Sequence, residues 1–150
     1  MINLINKIVV IALLFITTNG WGQQIFNQKK LSDGWHKVYL EGGLFYDGEI
    51  IMGKLEGKGV MTYPDSSSYS GTWKSNMRHG KGTMKWKNGD MYMGHFKMDE
   101  MSGTGTYLYA DGHKYYGHFK ESQFHGKGKL IYLDGKVEKG KWESGQKIND

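Results

Sequence analysis

The sequence predicts an all-β protein, an elongated single-layer antiparallel sheet of successive β-hairpins with 23 residues per repeat. Three observations carry that expectation. Gly48, Gly71, Gly94, Gly117 and Gly140 stand 23 residues apart each time, which is the mark of a repeat array. Other positions keep the same register: Tyr46, Tyr69, Tyr92 or Tyr115 lies two residues before the glycine, with Glu138 in the last copy, and Ile50, Trp73, Phe96, Phe119 or Trp142 lies two after it. Composition agrees, because 23 glycines against one proline, with ten Tyr, six Phe and five Trp, suit short strands and tight turns and argue against helices.

Taken in order, the chain opens with a different kind of segment. Lys7 precedes the unbroken apolar run of residues 8–16, followed by Thr17, Thr18, Asn19, Gly20, Trp21 and Gly22. Residues 1–22 read as a signal peptide whose small residues Gly20 and Gly22 offer a cleavage site, leaving Gln23 as the first residue of the mature chain. As a helix the run reaches only about 14 Å, less than half of a hydrocarbon core about 30 Å thick. The expected location is therefore secreted or periplasmic; the competing reading is an uncleaved anchor. With no cysteine in the chain, there is no lipoprotein anchor, disulfide framework or thiolate metal site. Residues 23–43 are read as a polar linker running to Asp33 and an N-terminal cap strand over residues 35–40. The array occupies residues 44–145, with its fifth copy half present, and residues 146–150 form a tail.

Within the array each copy adds further fixed positions. Nine and eleven residues after the first glycine come Gly57/Gly59, Gly80/Gly82, Gly103/Gly105 and Gly126/Gly128. Fifteen residues after it is Tyr63, Trp86, Tyr109 or Tyr132, followed by the turn pairs Asp65-Ser66, Asn88-Gly89, Asp111-Gly112 and Asp134-Gly135. Side chains alternate along a strand, so Tyr69, Gly71 and Trp73 share a face with Gly80, Gly82, Met84 and Trp86. Ser70, Thr72, Lys74, Lys81, Thr83, Lys85 and Lys87 share the other. Opposing same-face residues in a hairpin is expected to place Trp73 across from Gly82, Gly71 from Met84 and Tyr69 from Trp86. A three-residue loop of Asn88, Gly89 and Asp90 then puts Met84 across from Gly94 and Gly82 beneath Phe96. Either way large rings cover glycines, which explains glycine in strands it would otherwise weaken.

The arrangement Tyr-x-Gly-x-Trp, a polar bend ending in His-Gly-x-Gly, and an apolar strand closing on Asp-Gly resembles the MORN repeat family. Residues 69–82, from Tyr69-Ser70-Gly71-Thr72-Trp73-Lys74 to His79-Gly80-Lys81-Gly82, are a close copy. The first copy departs at Ile50 and Ser66, as terminal copies of an array do. The resemblance implies a protein-protein interaction or scaffold module, or contact with membrane lipid. It also implies that catalysis, where family members have it, resides in a separate domain.

The residues themselves supply no catalytic constellation. Nucleophile-elbow, phosphate-loop, zinc-protease and dinucleotide motifs are all missing. Gly57-Lys58-Gly59, Gly80-Lys81-Gly82 and Gly126-Lys127-Gly128 imitate a phosphate loop but open strands, so they read as structural. His95 and His118 sit two strands apart, about 9 to 10 Å on one face, too far to share a zinc ion that needs its nitrogens about 2 Å away. His79 and His125 occupy equivalent bends two copies apart. Asp65, Asp111 and Asp134 read as turn formers, and Asp99-Glu100 as a solvated pair. No cofactor, metal or catalytic residue is expected, and no enzyme.

The net charge of +5 comes from interspersed lysines, without the blocks expected of a nucleic-acid binder. A candidate interaction face remains: Tyr69, Trp73, Trp86, Tyr92, Phe96, Tyr109, Tyr115, Phe119 and Tyr132. Its bland reading is packing; its functional reading is a docking surface for an unidentified protein partner. The alternatives are a peripheral binder of anionic lipids through Lys58, Lys74, Lys81, Lys85, Lys87, Lys127 and Lys129, and a glycan-binding module using exposed Trp and Tyr.

Overall fold

The computed structural model describes residues 31–148. Residues 1–22, read as a signal peptide, and the linker up to residue 30 lie outside the described residues. Eleven antiparallel strands form one open sheet in sequence order: β1 Gly34–Tyr39, β2 Phe45–Ile51, β3 Lys54–Thr62, β4 Ser68–Lys74, β5 Met77–Lys85, β6 Met91–Lys97, β7 Glu100–Leu108, β8 Lys114–Lys120, β9 Gln123–Ile131, β10 Val137–Glu143 and β11 Gln146–Ile148. The expected cap strand is β1, joined to β2 through a short 3-10 turn over Glu41–Gly43. Residues 146–148, read as tail, add β11 to the lower half of β10, so the fifth copy closes a short hairpin.

The two expected registers are both off by two residues. In the β4/β5 hairpin Tyr69 faces Met84 and Gly71 faces Gly82, after which the register shifts and Thr72 faces His79 and Trp73 faces Arg78. Gly80 and Lys81 are thus extra residues on β5, a bulge in which Gly80 adopts φ +66°, a left-handed conformation that suits glycine. Gly57, Gly103 and Gly126 repeat it at φ +59°, +63° and +60°. The segment read as a polar bend is a tight turn at Ser75-Asn76, both at positive φ, and β5 already starts at Met77. At the other end the loop is residues 87–89, one earlier than expected, since the Trp86 amide donates to the Asp90 carbonyl at 2.9 Å. Met84 therefore faces Tyr92, and Gly82 faces Gly94.

The consequence is a continuous line of glycines across nine strands: Gly48, Gly59, Gly71, Gly82, Gly94, Gly105, Gly117, Gly128 and Gly140, each opposite the next. Rings do cover these glycines, but they are the tyrosines and not Trp73 or Phe96. A methyl group built on Gly71 would lie 2.5 Å from the Tyr69 hydroxyl, and one on Gly82 would lie 2.5 Å from its Cε2. Tyr46, Tyr92 and Tyr115 cover the equivalent pairs. Gly140 is covered by the Lys147 side chain, where Glu138 replaces the tyrosine.

The choice of tyrosine over phenylalanine follows from the bulge. Each buried hydroxyl donates to the carbonyl three residues on, where the register shifts: Tyr46 to Glu49 at 3.0 Å, Tyr69 to Thr72 at 2.9 Å, Tyr92 to His95 at 3.0 Å and Tyr115 to His118 at 3.2 Å. A buried hydroxyl without a partner would be costly. Around these rings runs an edge-to-face chain, Trp73–Tyr69–Phe96–Tyr92–Phe119–Tyr115–Trp142, with centroids 4.8 to 5.3 Å apart. Each such pair contributes about 0.5–1.5 kcal/mol beyond its burial. Tyr46 joins the first copy to it, edge-to-face with Trp73 at 5.7 Å, so the rings tie each copy to the next and one sheet holds a core without a second layer.

The hairpin ends are tied as well. The amides of Asn76, Asp99, Ser122 and Gly145 each donate at 3.1 Å to a carbonyl of the preceding hairpin, on Leu55, Arg78, Met101 and Phe124. Side chains answer in the opposite direction: the Leu55 amide donates to Asn76, the Arg78 amide to Asp99 and the Met101 amide to the Ser122 hydroxyl. Asp99, read as half of a solvated acidic pair, is instead anchored: its Oδ1 also accepts from Arg78 Nε at 3.1 Å, and Arg78 Nη2 donates to its carbonyl at 2.7 Å. The Arg78 guanidinium lies over the rings of Tyr69 and Phe96 at 5.8 and 5.3 Å. Asp65, Asp111 and Asp134 cap their turns as expected, accepting from the amides two residues on.

Candidate functional site

Of the nine residues in the candidate face, six are packing. Tyr69, Tyr92 and Tyr115 are wholly buried, and Trp73, Phe96 and Phe119 nearly so. Burial pushes the hydroxyls of Tyr69, Tyr92 and Tyr115 up to about 12, as expected for phenols held away from water. Trp86, Tyr109 and Tyr132 remain half-buried. Tyr132 is engaged locally, donating to Glu138 at 3.1 Å with the Lys136 ammonium 5.2 Å over its ring.

Trp86 and Tyr109 do meet in one place. With Met101, Tyr107 and Phe124 they line an open trough of about 430 Å³ on the aromatic face, spanning the second to fourth copies. Tyr107 is its centre, with its ring 5.4 Å from Trp86, 4.8 Å from Tyr109 and 6.4 Å from Phe124. The Tyr107 hydroxyl donates to Asp90 at 2.8 Å, which fixes the ring's orientation. Burial and that carboxylate both raise its pKa. The sequence reading missed Tyr107 and Phe124 because both break the repeat. Tyr107 occupies the slot of Met61, Met84 and Leu130, and Phe124 that of Leu55, Arg78 and Met101. That departure from the common residue was the available signal.

The opposite face carries a second hollow. A groove of about 580 Å³ runs over the Gly117, Gly128 and Gly140 backbone between Thr104, Tyr116, His118, Lys127, Lys129, Lys139 and Lys141. A smaller hollow bounded by Lys81, Thr83 and His95 shares Thr104 with it. His95 and His118 stay apart as the spacing requires, each with Nδ1 near a backbone carbonyl, of Thr104 and Lys127. His118 and His125 are cross-strand partners, which the sequence reading did not foresee. No group of three or more His, Asp or Glu side chains placed to hold a metal occurs among the described residues.

An open sheet of stacked hairpins with shallow hollows on both faces defines a repeat scaffold that presents surfaces to other molecules. The MORN repeat family model matches residues 46–68, 69–91, 92–114 and 115–137, more than half of the chain, and the protein belongs to that family. MORN repeats are generally modules of protein or membrane interaction. No curated protein matches the chain. Among solved structures, the SAS-4 (dCPAP) TCP domain of Drosophila melanogaster, in complex with a proline rich motif of Ana2 (dSTIL), is similar at 13% identity and a TM-score of 0.44. The match covers 69% of this chain and 58% of that one, less than two thirds of its length.

Proposed function

We propose that the protein is an exported, non-enzymatic interaction scaffold that docks a protein partner in the aromatic trough spanning its second to fourth copies. The observation that carries the reading is the trough itself. The array needs its tyrosine line and edge-to-face chain to fold, yet Trp86, Tyr107, Tyr109 and Phe124 gather half-buried rings, two of them in slots where the first two copies carry other residues: Met61 and Met84 for Tyr107, Leu55 and Arg78 for Phe124. Rigid aromatic side chains in a shallow hollow lose little conformational entropy on binding and bury large apolar area, which is why they dominate protein interfaces. The export segment supports a secreted or periplasmic setting.

The test is crosslinking capture of the partner in the native compartment, run in parallel with variants. Tyr109→Ala and Trp86→Ala should each weaken capture about tenfold or more while circular dichroism shows an unchanged fold. Lys81→Gln combined with Lys85→Gln and Lys87→Gln should leave it intact at moderate salt. Loss with the lysine variant and retention with both aromatic variants would hand the interaction to an anionic membrane surface.

A further inference from the structure

The glycine line is flanked on the wet face by four positions per strand pair, and comparing the four equivalent pairs isolates one of them. Between β3 and β4 the quartet is Lys58, Val60, Ser70 and Thr72; between β5 and β6 it is Lys81, Thr83, Met93 and His95; between β7 and β8 it is Thr104, Thr106, Tyr116 and His118. Between β9 and β10 all four are lysine: Lys127, Lys129, Lys139 and Lys141. The fold does not ask for this, since each of the other quartets builds the same ladder with one lysine or none.

The arrangement is also unfavourable by itself. Lys129 stands directly opposite Lys139, a like-charge pair beside the Gly128/Gly140 step, and Lys127 stands opposite Lys141 on its other side. Opposed like charges destabilise a sheet. No carboxylate among the described residues forms an ion pair with Lys127, Lys129 or Lys139; the ammonium of Lys129 instead lies 5.4 Å over the Tyr116 ring. Four cationic groups are thus gathered around a hollow of about 580 Å³ whose floor is bare glycine backbone.

We propose that this groove is a binding site for a linear acidic polysaccharide. Its shape selects against the other polyanions. A membrane presents a broad surface, whereas the lysines here stand around a shallow groove over the glycine backbone, which shares Thr104 with the smaller hollow at His95 and Lys81. Single-stranded nucleic acid needs a series of rings for its bases, and the groove has one, Tyr116, already covered by Lys129. An acidic peptide gains affinity by backbone pairing at a sheet edge; β8 and β9 under the groove are already paired on both sides, and the open edge beside it is confined to residues 137–140 of β10, which β11 leaves uncovered. A flexible chain carrying acidic groups along its length needs only cations at intervals, and β9 and β10 supply four of them on neighbouring strands, with Lys81 four strands beyond β9, about 19 Å. The site lies on the face opposite the aromatic trough and stands independently of the protein-docking reading.

The experiment is calorimetric titration of the full chain with a size-defined heparin oligosaccharide at physiological salt, together with thermal unfolding. The wild type should bind and gain melting temperature. Lys127→Gln combined with Lys129→Gln and Lys139→Gln should lose about tenfold or more in affinity and, without ligand, melt no lower than the wild type, because repulsion has been relieved. Lys54→Gln combined with Lys97→Gln and Lys120→Gln removes the same charge at the hairpin ends and should change affinity less than about twofold. Equal losses in the two triple variants would reduce the effect to net charge and overturn the proposal. So would absence of wild-type binding. Phosphatidylserine/phosphatidylcholine vesicles or oligothymidylate binding in the oligosaccharide's place, with the same dependence on the lysine quartet, would reassign the groove to lipid headgroups or to nucleic acid.

Discussion

Replacing Gly82 by alanine adds one methyl group, and the ring above it leaves no room. The new carbon would sit 2.5 Å from Tyr69 Cε2 and 2.6 Å from Cζ, with the hydroxyl oxygen nearby as well. Ordinary carbon contacts are about 3.5–4.0 Å, so the ring would have to retreat by about 1 Å. It cannot do so freely: Trp73 and Phe96 hold its edges with centroids at 5.0 Å, and its hydroxyl is bonded to the Thr72 carbonyl at 2.9 Å. Gly82 has no positive φ, so the penalty is steric and not conformational. If the ring stays, overpacking costs about 1–3 kcal/mol. If it is expelled, the loss approaches the about 3–5 kcal/mol of deleting a buried ring, plus about 1 kcal/mol for the hydrogen bond.

Denaturant unfolding should therefore give Gly82→Ala a loss of about 3 kcal/mol, or a melting temperature lower by roughly 10 °C for a domain of this size. The neighbouring Thr83→Val, on the wet face, should stay within about 0.5 kcal/mol. In a Tyr69→Ala background the Gly82→Ala penalty should shrink by about 1 kcal/mol or more, because the two residues share one space. Equal unfolding midpoints for Gly82→Ala and Thr83→Val, or strict additivity with Tyr69→Ala, would refute the packing of tyrosine over the glycine line.

Three further outcomes are expected. Asp99→Ala removes acceptors for both the Arg78 amide and its guanidinium, which is largely buried over two rings; chemical denaturation should show a loss of about 2–3 kcal/mol, and Asp99→Asn, which keeps an acceptor and tolerates the positive φ, should lose less than half as much. Because Tyr69, Tyr92 and Tyr115 titrate near 12 when folded against 10.0 ordinarily, their contribution to stability is full below pH 10 and falls as pH rises toward about 12; tyrosinate absorbance from these three should rise together with loss of the sheet's circular dichroism. Mass spectrometry of the extracytoplasmic protein should find a chain starting near Trp21 or Gln23; an intact Met1 in that pool would overturn the export reading.

Much of the fold was legible in the sequence, because the period of 23 fixes the number of hairpins and the alternation fixes which residues share a face. The register was not. A shift of two residues leaves every side chain on its own face, so hydrophobic alternation is blind to it. Only turn chemistry separates the two pairings, and here it is concealed: Ser75 and Asn76 take left-handed conformations without a glycine to announce them, and Gly80 forms a bulge in what reads as continuous strand. The candidate face was legible only as a set of rings. Which of them fold the array and which stay accessible depends on the edge-to-face chain, and that in turn depends on the register.

What the sequence read as one aromatic face and one wet face therefore divides differently. Positions that are the same in copy after copy, the tyrosine, the glycine pair and the ring two residues on, are occupied in holding neighbouring hairpins together, and a partner cannot reach them without unfolding the array. Accessible chemistry is concentrated where a copy departs from its siblings: Tyr107 and Phe124 replacing aliphatic or basic residues on one face, and Lys127, Lys129, Lys139 and Lys141 replacing a mixed set on the other. Both departures fall in the C-terminal half, separated by the thickness of a single sheet. Substitutions within one cluster should leave the other's binding unchanged, because the backbone between them is held by a ladder that neither set of side chains joins.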